Sequence, residues 1–340
     1  MDAGAALPER NARLGLQPIH LLLTTLRLNS SNQTMQATSQ SESRRSLALQ
    51  LLLFIFACAT LTLCNACWKK DADNSNKAQA TPAQKSGRVT NQKFIAALPQ
   101  GFRLPDDSDE VGYRVLADYG AVFVARGNVI APPVLVFEDE AAVKQWQSST
   151  KIARESFGGI SVELQEAAMK ALKEARAEAE SAKLTISPRG TDAARRSYAD
   201  TVKLWQSRVN PGLQHWIKEG KLDAEEAARI RALSPREQAT EILRLEGKGL
   251  YFNTDFTKSI LYSVAAPGTS QHLSLLAFDV KEFENAEVRA ILARHGWFQT
   301  ITSDLPHFTF LGTSESELPS LGLKKTTNSG RTFWVPQLTS

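Results

Sequence analysis

The chain is short of cysteine, of histidine and of net charge. Three cysteines occur in 340 residues, Cys58, Cys64 and Cys67. None follows, so residues 68–340 hold neither a disulfide framework nor a thiolate zinc knuckle. Five histidines leave few candidates for an imidazole site. The 40 Lys and Arg against 36 Asp and Glu give a formal charge of +4. With no basic and aromatic cluster beside it, that balance gives no ground for a nucleic-acid partner. No internal repeat is visible. At 42% hydrophobic and 22% charged residues the composition is globular, which excludes a collagen, a fully disordered chain and a polytopic membrane protein. The length suits one large domain or two small ones.

One long apolar run is present, residues 47–67 (LALQLLLFIFACATLTLCNAC), preceded by Arg44 and Arg45 and followed by Trp68-Lys69-Lys70. A basic start, an apolar stretch and small residues before a break read as a secretory signal. Leu61-Thr62-Leu63-Cys64 and Ala66-Cys67 each resemble part of a bacterial lipoprotein box. A run of roughly 20 apolar residues also suits an uncleaved membrane anchor, and plain secretion is the third option. All three place the body in the cell envelope, outside the cytoplasm. The residues before Met35 are polar and long for a signal, which makes Met35 a candidate start. The chain therefore divides into an extension and address segment (1–67), a polar flexible linker (68–92), a small α/β cap (93–150) and a main domain (151–340).

Within the cap, strands are expected over 113–116, 121–124 and 134–137, and a helix over 139–147. A helix is expected over 163–182, where Leu164, Ala168, Leu172, Ala175 and Ala179 repeat at helical spacing. A strand over 184–187 and a helix over 192–207 follow. Two helices within 222–246 break at Ser234-Pro235. Mixed helices and short strands give an α+β class.

The chemistry lies in 265–312. A turn-rich loop ends at His272, and Asp279 follows in Leu276-Ala277-Phe278-Asp279-Val280. Strand alternation sends Phe278 and Val280 to one face and Ala277 and Asp279 to the other. A carboxylate among apolar neighbours on a buried strand is costly unless paired or bound to a metal. A helix with Val288, Ile291, Leu292 and His295 on one side stops at Gly296. In Ser303-Asp304-Leu305-Pro306-His307-Phe308-Thr309-Phe310, alternation again separates Phe308 and Phe310 from His307 and Thr309. Two imidazoles and one carboxylate, with a fourth position for water, make a catalytic zinc arrangement. Asp304, three residues before His307, is placed to act as general base on that water. A lone histidine on an apolar strand is ordinarily structural. That reading is kept for His295 at its helix end and for His215 beside Trp216.

Ser270-x-His272 through Ala277-x-Asp279, then Asp304-x-Pro306-His307-Phe308, resembles the zinc D-alanyl-D-alanine carboxypeptidase family. That family includes vancomycin-resistance carboxypeptidases and L-alanyl-D-glutamate endopeptidases. Leu275 stands where the family has glycine, and Asp-x-Pro-His-Phe is similar to its endopeptidase branch. Ile186-Ser187-Pro188-Arg189-Gly190 stands where the family carries an arginine after a strand, without the family's tyrosine. Over about residues 160–312 the resemblance implies an α+β, hedgehog/DD-peptidase-like zinc peptidase domain. It implies Zn2+ held by His272, Asp279 and His307, with Asp304 as base. Arg189 would steady the scissile carbonyl or a substrate carboxylate, and Ser270 would hold the substrate's C-terminal end. The implied activity is an exported zinc metallopeptidase acting on peptidoglycan stem peptides as a D-alanyl-D-alanine carboxypeptidase. The alternatives are an L-alanyl-D-glutamate-type endopeptidase, or a zinc-stabilised cell-wall binding protein without catalysis. The expected partners are the stem peptide and, through an N-terminal lipid or helix anchor, the membrane; a monomer and no nucleic acid are expected. Leu275 is expected to narrow the pocket, or to mark a site that binds metal without turnover.

Overall fold

The structure, a computed structural model, describes residues 87–340. The address segment, Met35 and most of the 68–92 linker lie outside the described residues. Order is set before Phe94: the Thr90 and Asn91 amides donate to the Leu338 carbonyl at 2.8 and 3.1 Å. The Asn91 side chain caps helix α1, Gln92–Ala97. Helix α2, Glu110–Tyr119, is capped by Asp109, which accepts from the Gly112 amide at 2.8 Å. Its buried Val115, Leu116 and Tyr119 lie along one side of the helix. The strand expected over 113–116 is thus a helix, the one over 121–124 is a buried 3-10 turn, and 134–137 enters no strand. Short runs of Val, Leu and Phe bury equally well in either state, so packing decided. The helix expected over 139–147 is present as α3, Glu140–Ser148. The α/β cap is therefore corrected to a helical segment, since no strand lies within 93–150. Phe94, Leu116, Val122 and Val124 from this segment share one buried cluster with Leu172, Phe278 and Phe308.

Strands β1, Ile152–Phe157, and β2, Ile160–Gln165, form an antiparallel hairpin. Its turn is Gly158-Gly159, both at positive φ, a conformation that glycine adopts without penalty. The pairing of β2 delays the helix expected from 163, and α4 spans Glu166–Ser181. Residues 184–187 join no strand, although Pro188 bridges Val280. Helix α5, Tyr198–Lys218, starts at a capping box of Ser197 and Asp200 rather than at 192, and runs past 207. Helices α6, Ala224–Ala232, and α7, Pro235–Glu246, break at Ser234 as expected. These three helices build a second core with Trp205, Leu213, Ile230 and Ile242.

The strands that carry the site are β3, Ala277–Asp279, then β4, Trp297–Phe298, and β5, His307–Phe310, with helix α8, Ala286–Arg294, between β3 and β4. They form an antiparallel sheet in the order β3-β5-β4. Phe278 pairs with Phe308 and Asp279 with His307, so the register puts two aromatics on the core side and two polar groups opposite. Helix α8 is capped by Asn285 and buries Val288, Ile291 and Leu292. His295 at its end meets Glu178 of α4 at 2.7 Å, a structural contact. A last hairpin, β6 Leu323–Asn328 and β7 Arg331–Pro336, was not expected; the Trp334 amide ties it to the Gln299 carbonyl at 2.9 Å. The described chain is thus a mixed helix and sheet fold with its strands in three separate antiparallel sheets. Among the described residues no helix is long and apolar enough to cross a membrane.

Removing residues before 151 strips the shared core of seven large apolar side chains, Val89, Phe94, Phe102, Leu116, Val122, Phe123 and Val124. Each contributes about 1.5–3 kcal/mol, against a typical total of about 5–15 kcal/mol. A chain cut to 151–340 is expected to show no cooperative transition by calorimetry. A sharp two-state melt would show the 93–150 segment to be separable.

Candidate metal centre

His272 lies in a short 3-10 turn, Gln271–Ser274, that closes at Leu275. Leu275 takes the left-handed conformation, φ 60° and ψ 24°, at a cost on the order of 1 kcal/mol for a residue other than glycine. Its side chain is fully buried and stands away from the cleft, which offsets that cost. The expectation that Leu275 narrows the pocket is therefore corrected: the position sets a left-handed turn and leaves the cleft wall to other residues.

His272 Nδ1 lies 2.6 Å from the Ala194 carbonyl, which can only accept, so Nδ1 carries the proton. That leaves Nε2 with its lone pair, buried and without a hydrogen-bond partner, 3.3 Å from Asp279 Oδ1. His307 is oriented from the other side. Gln271 Nε2 donates to the Tyr119 carbonyl at 2.8 Å, which turns Gln271 Oε1 toward His307 Nε2 at 2.9 Å. Thr309 Oγ1 donates to the same oxygen. His307 therefore donates through Nε2 and presents Nδ1, 3.1 Å from Asp279 Oδ1. Burial lowers the His272 pKa and favours the neutral ring. Burial alone would raise the Asp279 carboxyl; protonated imidazoles at His272 and His307 would hold it well below the usual carboxylate range, so positive charge at this point favours the carboxylate.

Three acceptors thus converge with their donor atoms within 4.8 Å of one another. Facing lone pairs repel unless a proton or a cation lies between them. The outward hydrogen bonds of both rings match the arrangement that orients metal-bound histidines. The donor set and the orphaned Nε2 fit a divalent ion held by His272, Asp279 and His307.

The triad opens into a cleft of about 380 Å³ that Asp304, Arg189 and Ser270 also line. The six residues picked from the sequence therefore meet in one place. Asp304 sits in the turn before β5, where its carbonyl accepts from the His307 amide at 3.3 Å. Its carboxylate makes no hydrogen bond or ion pair among the described residues. Burial pushes the Asp304 carboxyl above its ordinary value; the His307 imidazole opposes this and the Asp279 charge adds to it. Arg189 is anchored by its amide, which donates to the Asp279 carbonyl at 2.9 Å, and its guanidinium lies 5.8 Å over the Phe283 ring. Arg195 faces outward and pairs with Glu163 at 2.7 Å.

Sequence reasoning set Arg196 beside Arg195 as a neighbour competing with Arg189 but gave it no role of its own, and it missed Gln271. Arg196 donates from Nη2 to Asp279 Oδ2 at 3.0 Å and is largely buried. Its signal was the Ser197 and Asp200 capping box, which marks the loop end beside the cleft. Gln271, which orients His307, carries no sequence signal, because its role depends on a partner 36 residues away.

No family model matches the chain, and no curated protein matches it. Among solved structures, a vancomycin-resistance D,D-pentapeptidase VanY variant from a VanB-type resistance cassette, in complex with Zn(II), aligns with 48% of this chain and 82% of that chain. The identity is 15% and the TM-score 0.27, a likeness too slight to define fold or function.

The raised carboxyl of Asp304 has a consequence for stability. Below the unfolded pKa of about 3.9 both states are protonated and the group costs nothing. Between the unfolded pKa and the raised folded one, the unfolded state has released a proton that the folded state still holds, so stability falls over that window and stays lowered above it. In chelator-treated protein, Asp304→Asn is expected to raise Tm at pH 7 and to leave it unchanged at pH 3. A lower Tm at pH 7 would show that the carboxylate is stabilised in place.

Proposed function

We propose that this protein is an exported zinc peptidase that trims peptidoglycan stem peptides, releasing the terminal D-alanine. The observation that carries the reading is the convergence of His272 Nε2, Asp279 Oδ1 and His307 Nδ1 in one cleft with Asp304. Two neutral imidazoles and a carboxylate with an open side suit zinc. Zinc held there supplies Lewis acidity toward a scissile carbonyl and an attacking water. Asp304 takes a proton from the water at its carboxylate and returns it to the leaving amine. Its raised pKa brings it nearer to the working pH of a general base. Arg189 offers a planar fork to the scissile oxygen or to the substrate's terminal carboxylate, and Ser270 holds that terminus. Arg196 acts through Asp279, keeping it ionised and oriented, and is a positioning residue. The apolar run at 47–67 supports an address in the envelope, where the substrate lies.

Digestion of stem pentapeptides by the full chain, followed by mass spectrometry, tests the reading. Loss of one D-alanine is expected. Internal cleavage would assign an endopeptidase, and unchanged peptide with zinc bound would leave a binding protein. About one zinc per chain is expected by elemental analysis, and His307→Ala should abolish it; full retention would end the ligand assignment. Asp304→Asn should keep the metal and lower kcat by roughly 100-fold or more, and wild-type turnover would assign the base elsewhere. Arg189→Lys keeps the charge but loses the fork, and should lower kcat/KM while the outward-facing Arg195→Lys does not. The reverse result would move the role to the other arginine.

A further inference from the structure

We propose that Tyr119 is a positioning residue for two parts of the cleft: its carbonyl fixes the amide that selects the His307 nitrogen offered to a metal, and its hydroxyl fixes the wall that begins at Leu261. The inference rests on the metal assignment above and not on which bond is cut. Helix α2 lies between the two cores, sending Leu116 into the first and Val115 into the second. The first core holds Phe278 and Phe308 of the site strands. The second holds Leu261, from which residues 261–265 run along the cleft. Tyr119 ends the helix at this junction, is buried, and itself lines the cleft.

The carbonyl acts through the two-sided nature of an amide. A carboxamide can face a neighbour with its oxygen or with its NH2 group, and the two ends demand opposite tautomers of an imidazole. With Gln271 Oε1 toward His307, the ring donates from Nε2 and keeps the Nδ1 lone pair. With the amide reversed, Nε2 would accept, and Nδ1 would carry a proton toward Asp279 Oδ1, 3.1 Å away. A proton there takes the place of the cation. The Tyr119 carbonyl can only accept, and it receives Gln271 Nε2 at 2.8 Å, which excludes the reversed amide. The Thr309 hydroxyl donates to Oε1 in the same sense. Tyr119, Gln271, His307 and Thr309 are all buried, so a lost partner is not replaced cheaply. The end of α2 therefore commits His307 to the metal-binding tautomer.

The hydroxyl holds the substrate side. Tyr119 Oη donates to the Leu261 carbonyl at 2.9 Å. Burial pushes the phenol pKa up, so the hydroxyl keeps its proton. Leu261 and Gln271 bound one stretch of chain, and Tyr119 grips both of its ends. The middle of that stretch is held by the same N-terminal segment, through the Phe137 amide on the Gly268 carbonyl at 2.9 Å. Gly268 sits at φ 77°, and a Cβ there would collide with the Phe137 carbonyl oxygen, so this close approach needs glycine. Residues 93–150 thus form the back of the site.

Tyr119→Phe and Gln271→Met separate the two roles in the full-length chain, with Zn(II) as the metal probe. Zinc affinity is read by competition with a chromophoric chelator, wall mobility by hydrogen exchange of the 261–265 amides, and turnover with the stem pentapeptide. Tyr119→Phe keeps the carbonyl and should bind zinc as the wild type does. Its amides at 261–265 should exchange roughly 5- to 10-fold faster, and KM should rise by a similar factor, more than kcat falls. Gln271→Met should weaken zinc binding roughly 10- to 100-fold and leave exchange at 261–265 unchanged. Gln271→Glu offers His307 an acceptor whichever way it turns, so its zinc affinity should stay within about threefold of the wild type. Its Tm should nonetheless fall, because a buried carboxylate then meets the Tyr119 carbonyl. Wild-type exchange or an unchanged KM in Tyr119→Phe, or wild-type zinc affinity in Gln271→Met, overturns the proposal while the metal reading stands. Equal loss of zinc in Gln271→Met and Gln271→Glu also overturns it, since affinity would then follow stability and not the acceptor. If the wild type binds zinc but cuts no peptide, the peptidase reading falls, and exchange and zinc affinity decide the proposal by themselves. A wild type that binds no zinc ends the metal assignment and this proposal with it. Should Gln271→Met not fold, Gln271→Glu decides: a zinc affinity weaker by about 10-fold or more overturns the proposal.

Discussion

The site depends on three lone pairs that are made to face one another. His272 cannot turn its Nε2 away, because Nδ1 is spent on the Ala194 carbonyl. His307 cannot turn Nδ1 away, because Nε2 is spent on Gln271. Asp279 keeps its charge, because the Arg196 guanidinium 3.0 Å from Oδ2 favours the carboxylate. Each outward bond removes the tautomer or rotamer that would have relieved the repulsion inside. A cation is the simplest species that turns this arrangement from unfavourable to favourable, and it explains why a buried ring nitrogen stands without a partner.

The fold supplies that constraint through strand register. Pairing Asp279 with His307 follows from pairing Phe278 with Phe308, and the aromatics are held by the core. A slip of one residue would turn both polar groups into the core and both rings into the cleft. Leu275 shows the same priority. The chain accepts a leucine in a left-handed turn because that turn delivers His272 to the start of β3. Asp304 pays for its position in the same way, with a carboxyl raised by burial that is poorly suited to stability and well suited to moving a proton.

The cleft extends beyond the metal end because α5 runs beside it. Its first turn is pinned by the capping box at Ser197, and its buried face is fixed by Trp205, Val209 and Leu213. With those residues facing the second core, Thr201, Leu204 and Arg208 fall to the cleft side. The packing of a helical core thereby lays Arg208 along a wall that also carries Arg189 and Arg196, with Asp192, Asp279 and Asp304 among the lining.

The sequence by itself determined the parts that rest on local periodicity and on residue chemistry. Alternation around Asp279 and His307, the helix ending at Gly296, and the break at Ser234-Pro235 could all be read directly, since each depends on neighbours a few residues apart. The candidate ligands His272, Asp279 and His307 and the candidate base Asp304 stand out by residue chemistry and strand alternation, and the fold brings them to one cleft. Tertiary structure alone decided what depends on distant partners. The short apolar runs at 113–116 and 121–124 became helical because they pack into the core that also holds Phe278, and 93–150 ceased to be a separate α/β unit for the same reason. Pairing made strands of 152–165 and 323–336, where local pattern was weak. Which arginine grips Asp279, which nitrogen of each histidine is free, and that Gln271 orients His307 are matters of contact between residues 28 to 83 apart. No local signal encodes such contacts, because they exist only once the chain has folded back on itself.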